Sequence, residues 1–402
     1  MTKPHSDKYL VNLTWFVLAT YIIFMLGFFF VPNAVDQYKF YGLAVFLPAL
    51  PLLPRMIKTF GHDRLLLLIV AYLMWMLVSS FWSTSFSLEE FLKTLRLVAY
   101  IVIFILLTTY MAVRKPALSE TYIALLGTAA MLAALISVPL WYSSHSFPGS
   151  RIIGIGTLDN PNPSAFVYGF FAVIGCRLAL GNDKLWLKFI FALSALLLTA
   201  FVFLTQSNTG ILATISSIAL LLLMRHGGRL LHIAGGVTAA LVTLLFLSYS
   251  LGVLEQPMDP GLSQRIPIWG KVVGQIEQAP LIGHGYQKQV LLDAKGTADT
   301  ANYAHSALLA SFRDGGLVAI ILHLLILATA LVSATGIYKR NKDPAYLAYL
   351  LFGFICMLAD TDQLITRPRE LWIIFWWPLA MIIAARIVQL NIEDGSGDKP
   401  VE

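Results

Sequence analysis

Residues 316–338 read GLVAIILHLLILATALVSATGIY, and His323 is the only side chain among them able to carry a positive charge. Coiled as a helix at 1.5 Å per residue, this stretch is about 34 Å long, enough to cross a hydrocarbon core of about 30 Å. It lacks the apolar/polar alternation over about ten residues that marks a barrel strand. Lys339, Arg340 and Lys342 follow it directly, and Arg313-Asp314-Gly315 leads into it.

Runs of the same kind recur outward in both directions. Twelve are expected to span a membrane: 10–31, 40–57, 65–82, 94–112, 119–141, 163–181, 186–205, 208–224, 230–251, 316–338, 344–360 and 371–388. The second contains Pro48, Pro51 and Pro54, tolerable within a span where neighbouring groups satisfy the freed carbonyls. The bulk numbers agree. Of 402 residues, 58% are hydrophobic and 12% charged, with a mean hydropathy of +0.74, against about 25% charged for a soluble domain. A soluble globular enzyme is excluded, and the fold class is all-α, polytopic and integral to the membrane.

The basic residues set the orientation. With the N-terminus in the cytoplasm, short inside loops collect Arg55, Lys58, Arg64, Arg114, Lys115, Arg177, Lys184, Lys188, Arg225, Arg229, Lys339, Arg340 and Lys342, as the positive-inside rule asks. Both termini are then cytoplasmic, and residues 10–31 form a retained first span rather than a cleaved signal. The net charge of +6 reads as membrane anchoring, with no nucleic-acid partner implied. Cys176 and Cys356 lie in apolar runs without metal-ligand spacing and read as small buried residues. Four regions follow: spans one to nine over 1–251, an outside loop with interfacial helices over 252–315, spans ten to twelve over 316–390, and a cytoplasmic tail over 391–402.

Five arginines, Arg151, Arg265, Arg313, Arg367 and Arg369, fall on the outside, where basic residues are disfavoured. Arginine binds phosphate bidentately and stays charged when partly desolvated, so the cluster suggests a lipid phosphate or diphosphate ligand. The plainer alternative pairs several of them with Asp259, Asp314, Asp360, Asp362 or Glu370. Within the loop, Ser263 is placed to cap a helix with Ile266, Trp269, Val272, Val273 and Ile276 on one side, ended by Pro280 and suited to the membrane interface. His305 opens a short helix that runs through Leu309 and Arg313 into the tenth span. An imidazole beside guanidinium groups can serve as a general base; a simple helix-start hydrogen bond is the bland alternative. Asn162 and Pro163 fit an N-cap and first helical position. Asp360-Thr361-Asp362 has the form of a metal-binding DxD, but the nearby Arg367 and Arg369 point to neutralisation by the protein's own cations. His284, between two glycines, reads as a structural turn residue.

These stretches together resemble the O-antigen ligases, within the wider group of O-antigen ligases and polymerases. The resemblance rests on Arg151…Asn160-Pro161-Asn162, on Arg265-Ile-Pro-Ile-Trp269 with Pro280-Leu-Ile-Gly-His-Gly285, on His305-Ser306…Leu309 before Gly315-Gly316, and on Arg367-Pro-Arg369. Where family members often carry a Ser-Arg-Gly-like turn after the seventh span, this chain has Thr205-Gln-Ser-Asn-Thr-Gly210, without the arginine.

The resemblance implies a GT-C-like glycosyltransferase of the bacterial inner membrane with its active site on the periplasmic side. Undecaprenyl-diphosphate-linked O-antigen would be the donor, lipid A–core the acceptor and lipopolysaccharide the product. Transfer would be inverting and metal-independent, with no cofactor. On this reading His305 is the catalytic base, Arg265 and Arg151 bind the diphosphate, and Arg313, Arg367 and Arg369 contact phosphates of donor or acceptor. An O-antigen polymerase using the same donor is the nearest alternative. A lipid or polysaccharide transporter is the alternative from another class, and would place ionisable groups at mid-membrane.

Overall fold

The computed structural model describes residues 4–60, 62–226, 262–286 and 304–393. Among them there is no strand. Twelve helices carry the architecture: α1 (Pro4–Phe30), α2 (Ala34–Phe60), α3 (Arg64–Ser79), α4 (Leu88–Arg114), α5 (Pro116–Tyr142), α6 (Pro161–Gly181), α7 (Leu185–Leu204), α8 (Asn208–His226), α9 (Leu262–Gln278), α10 (Ala307–Asn341), α11 (Ala345–Ala359) and α12 (Trp372–Leu390). Ten are long and apolar enough to cross a membrane, and all but α9 and α11 are in that set. The expected ninth span, 230–251, lies outside the described residues, as do Arg229, Asp259 and most of the tail.

The expected prolines act on α2. The segment passes through a π-turn at Tyr41–Phe46 and a 3-10 turn at Leu50–Leu52 while staying continuous as a span. Ring removal of backbone donors forces such local rewinding. α12 opens with a π-turn at Trp372–Trp376 that buries both tryptophans and the three residues between them. Around it, Phe24, Tyr41 and Phe104 pack against Trp372 with ring centroids 4.9–5.9 Å apart. This aromatic cluster ties α1, α2, α4 and α12 into one core.

α11 has only 15 residues, about 22 Å of helix. It ends at Asp360, whose side chain is 5% exposed. A carboxylate is thereby buried at the C-terminal end of a short helix. α10 is broken rather than straight: Gly316 has φ 66 and ψ −160. Segment 280–286 lies against this break. The Leu317 amide donates to the carbonyls of Pro280 (2.8 Å) and Leu281 (3.0 Å), while His284 N donates to Arg313 O (2.9 Å) and Gly285 N to Asp314 O (2.8 Å). The approach needs glycine on both sides. A Cβ on Gly283 (φ +70) would stand 2.5 Å from the Asp314 carbonyl, and one on Gly316 would strike the Leu281 carbonyl, so no larger side chain fits either position.

Two local expectations are corrected. α6 is capped by Asn160, whose side chain accepts from Asn162 N, and Pro161 is its first residue. The cap is thus one Asn-Pro unit earlier than Asn162-Pro163. α9 begins at Leu262, so Ser263 lies inside the helix rather than capping it.

Candidate active site

α9 lies on the start of α10. Val272 and Ile276 are buried against Ala304 and Ala310, with Ile268, Leu309 and Phe312 packed around them. Trp269 Nε1 donates to Ala304 O at 3.0 Å, fixing the segment just before His305. Ile266 and Val273, expected on the same apolar side, are instead exposed; the helix turns one side to α10 and another outward.

Arg265 shares the Trp269 side of this helix, four residues earlier. Its side chain is 8% exposed and forms an ion pair with Asp360, Nη2 to Oδ1 at 2.8 Å. Nη1 donates to Thr209 Oγ1 at 3.1 Å. His305 Nδ1 approaches the same Asp360 oxygen at 3.3 Å, and its ring is 35% exposed. One carboxylate therefore joins a guanidinium from α9 to an imidazole before α10. Asp360 Oδ2 is buried without a hydrogen-bond partner.

His305 does not open a helix, as the sequence led us to expect. It sits two residues before α10 with φ 48, a left-handed conformation that aims the ring toward the end of α11 rather than along the helix. The group nearest its Nδ1 is a carboxylate, not a guanidinium.

Arg151 completes the same end of the bundle. Its Nε donates to Thr205 O (3.0 Å) and Nη2 to Asn162 Oδ1 (2.6 Å). Arg151 holds the front of the Thr205–Thr209 turn and Arg265 holds its back. The turn that departs from the family pattern thus lies between the two arginines expected to bind diphosphate. It is largely buried and locked by Gln206 (φ 54), whose Nε2 donates to Pro148 O at 3.0 Å.

The remaining arginines separate by environment. Arg313, 2% exposed, is turned into the core and pairs with Asp314, Nε to Oδ1 at 2.6 Å; Gln363 Nε2 holds the other Asp314 oxygen at 2.9 Å. Arg369 is about half exposed and pairs with Glu370 at 2.8 Å. Arg367 is exposed. Neither Arg313 nor Arg369 converges on Asp360; the pairing alternative describes both, and it describes Arg265 as well.

The DxD motif is divided. Asp360 meets Arg265 and His305, while Asp362 accepts the Ala304 amide at 3.0 Å. Neutralisation by a protein cation is what Asp360 receives, though from Arg265 rather than from Arg367 or Arg369. Burial pushes the Asp362 carboxyl above the usual carboxylate range, and nearby Asp314 acts in the same direction, against Arg313 and the Ala304 amide. His284 is structural, its Nε2 at 2.7 Å from Gln275 O. Tyr286 joins three segments, taking its amide to Ser79 Oγ and its hydroxyl to Ile365 O.

Sequence reasoning did not single out Thr209 or the double role of Asp360. No local signal marks Thr209. Asp360 carried one, the abrupt end of a short apolar run, but its partners come from distant segments.

A multi-span helical membrane protein with arginine, imidazole and carboxylate gathered at one end is the class these features define. Residues 193–324 match the family model described as O-antigen ligase. Across 400 residues, 97% of this chain and 95% of the relative, the sequence is 26% identical to a protein named O-antigen ligase from Pseudomonas aeruginosa. The resemblance to the O-antigen ligases therefore holds over nearly the whole chain, and the matched family region contains Arg265, His305 and Arg313.

Proposed function

We propose that this chain transfers an O-antigen glycan from undecaprenyl diphosphate to a sugar hydroxyl of lipid A–core, completing lipopolysaccharide on the periplasmic face of the bacterial inner membrane. The observation that carries the reading is the convergence of Arg265 and His305 on Asp360, beside Arg151 across the Thr205–Thr209 turn. Likeness to the O-antigen ligase family model and to a relative of that name supports O-antigen and lipid A–core as substrates; the diphosphate carrier is inferred from the arginines.

The acceptor oxygen attacks the anomeric carbon from the side opposite the diphosphate. The new C–O bond forms as the bond to the phosphate oxygen breaks, and the electron pair leaves on undecaprenyl diphosphate. His305 accepts the hydroxyl proton at Nε2, because Nδ1 faces Asp360. Asp360 orients the ring and stabilises the imidazolium that forms, the role a buried carboxylate plays beside a catalytic histidine. Arg265 and Arg151 stabilise charge developing on the diphosphate. A leaving group already activated in this way needs no general acid. With Asp360 engaged by Arg265, the reading assigns the chain no metal. Arg367 and Arg369 contact phosphates of donor or acceptor in this proposal; Arg313, paired with Asp314 inside the core, has a structural role.

The test is reconstituted transfer from lipid-linked glycan, offering either lipid A–core or a second glycan-lipid as acceptor. Product on lipid A–core, retained in excess chelator and lowered about 10²–10⁴-fold by His305→Ala, is the expected result. Wild-type turnover in His305→Ala refutes the base. Product only on the second glycan-lipid makes the chain a polymerase, and loss in chelator restored by a divalent ion revives a metal at Asp360 and Asp362.

A further inference from the structure

His305 carries a Cβ in the left-handed region, at φ 48, where such residues stay only if the surroundings hold them. On its C-terminal side the hold is α10 itself. Ser306 is the N-cap residue, and its carbonyl accepts from the Ala310 amide at 2.9 Å. On its N-terminal side, Ala304 is outside any helix, yet it is gripped at both backbone polar groups. Its amide donates to Asp362 Oδ1 at 3.0 Å, and its carbonyl accepts from Trp269 Nε1 at 3.0 Å. Ala304 is fully buried, packed with Val272 and Ile276 of α9 and Ala310 of α10.

The Ala304 carbonyl and the His305 nitrogen belong to one planar peptide unit. The Trp269 hydrogen bond therefore fixes the plane from which the His305 backbone turns, and Asp362 stops Ala304 from pivoting about that bond. Both partners belong to segments that already meet at the candidate site. Trp269 lies one helical turn after Arg265 on α9, and Asp362 follows Asp360 by two residues. Asp360 Oδ1 is 2.8 Å from Arg265 and 3.3 Å from His305 Nδ1. The segments that join guanidinium to carboxylate thus also hold the backbone before the imidazole. Burial disfavours charge on Asp362; what it gives Ala304 is an acceptor oxygen, which an asparagine side chain also carries.

We propose that Asp362 and Trp269 are positioning residues for His305. They clamp Ala304 from both ends, so that the ring turns Nδ1 to Asp360 and Nε2 to the acceptor hydroxyl. Neither side chain takes part in bond making or breaking. Their role rests on His305 being the base of the transfer proposed above. With either bond lost, His305 is free to leave φ 48 for an ordinary extended or helical backbone. Its ring then swings away from Asp360, while Arg265 keeps Thr209 and Arg151 keeps Thr205 and Asn162. The loss falls on the chemical step rather than on binding of the donor.

The experiment is reconstituted transfer by the full chain, with kcat, KM for lipid-linked glycan and Tm measured for four variants. Asp362→Ala removes the acceptor, and Trp269→Phe keeps an aromatic ring but removes the donor. Each should lower kcat by about 10–10²-fold with KM unchanged. Asp362→Asn should recover the kcat that Asp362→Ala loses. Should Asp362→Ala fail to fold, Trp269→Phe decides by the same split. A merely structural clamp would lower Tm and leave the folded protein with wild-type kcat. That result, beside an inactive His305→Ala, overturns the positioning role and leaves the base standing. A raised KM with unchanged kcat, or a loss in Asp362→Asn equal to that in Asp362→Ala, also overturns it. Wild-type turnover in His305→Ala overturns base and clamp together.

Discussion

Two buried arginine–carboxylate pairs lie at the same end of this protein and are completed by different third groups. Arg313 and Asp314 are sequence neighbours, both on α10, and Asp314 is completed by the amide of Gln363. Arg265 and Asp360 come from α9 and from the end of α11, and Asp360 is shared with a partly exposed imidazole. Burial is nearly the same for the two arginines, at 2% and 8% side-chain exposure. What differs is the third member. An amide saturates a carboxylate and fixes structure, whereas an imidazole can take up a proton and is open to a substrate. Charge burial alone does not distinguish the group proposed to be catalytic from the one proposed to be structural.

The sharpest way to break this contrast is Asp360→Asn. Transfer should fall by about 10²–10⁴-fold, while Tm changes far less than it does in Arg313→Met. Comparable losses of stability in the two variants would erase the distinction. Arg313→Met leaves Asp314 buried and uncompensated and should cost about 3–5 kcal/mol. Adding Asp314→Leu should recover most of that loss in denaturant unfolding, and no recovery would mean that Asp314 is needed for more than its partner.

A smaller effect is expected at Asp362. Its carboxyl is raised by burial, so the folded state holds its proton more tightly than the unfolded chain does. The ionised form is a net cost to folding above the folded-state pKa. That cost fades as pH falls through this value and is gone below the ordinary carboxylate pKa of about 3.9. Asp362→Asn should therefore raise Tm at neutral pH, and the gain should vanish on acidification; a gain that persists in acid would refute the assignment. Least of all, Arg369→Gln should shift stability by under about 1 kcal/mol, as an exposed pair does.

Much of the architecture was legible because hydrophobic runs of span length leave few alternatives. Eleven of the expected runs coincide with described helices, and the break in α10 falls at Gly316, within the Gly315-Gly316 pair. Degenerate local signals caused the misplaced cap: Asn160-Pro161 and Asn162-Pro163 are the same dipeptide twice, and only the fold selects the first. The candidate site was legible as residue types, since arginines on the disfavoured side and a histidine before a span stand out. Their partners were not. Which carboxylate reaches Arg265 depends on where a short helix stops, and the positive φ of His305 depends on α9 and α11 packing around it. The Thr205–Thr209 turn looked like a mere departure from the family pattern until Arg151 and Arg265 were seen to grip its two ends.

The contact between Gly283 and Gly316 also bears on how sequences of this kind can drift. Each glycine is excluded from change by backbone that belongs to the other's segment, so neither can be relieved by repacking side chains. In a library covering every substitution, these two positions should stand as paired blanks amid tolerant neighbours such as Leu281, Ile282 and Leu317, which are exposed. A seam of this kind fixes where segment 280–286 joins the bundle, because both of its walls are backbone.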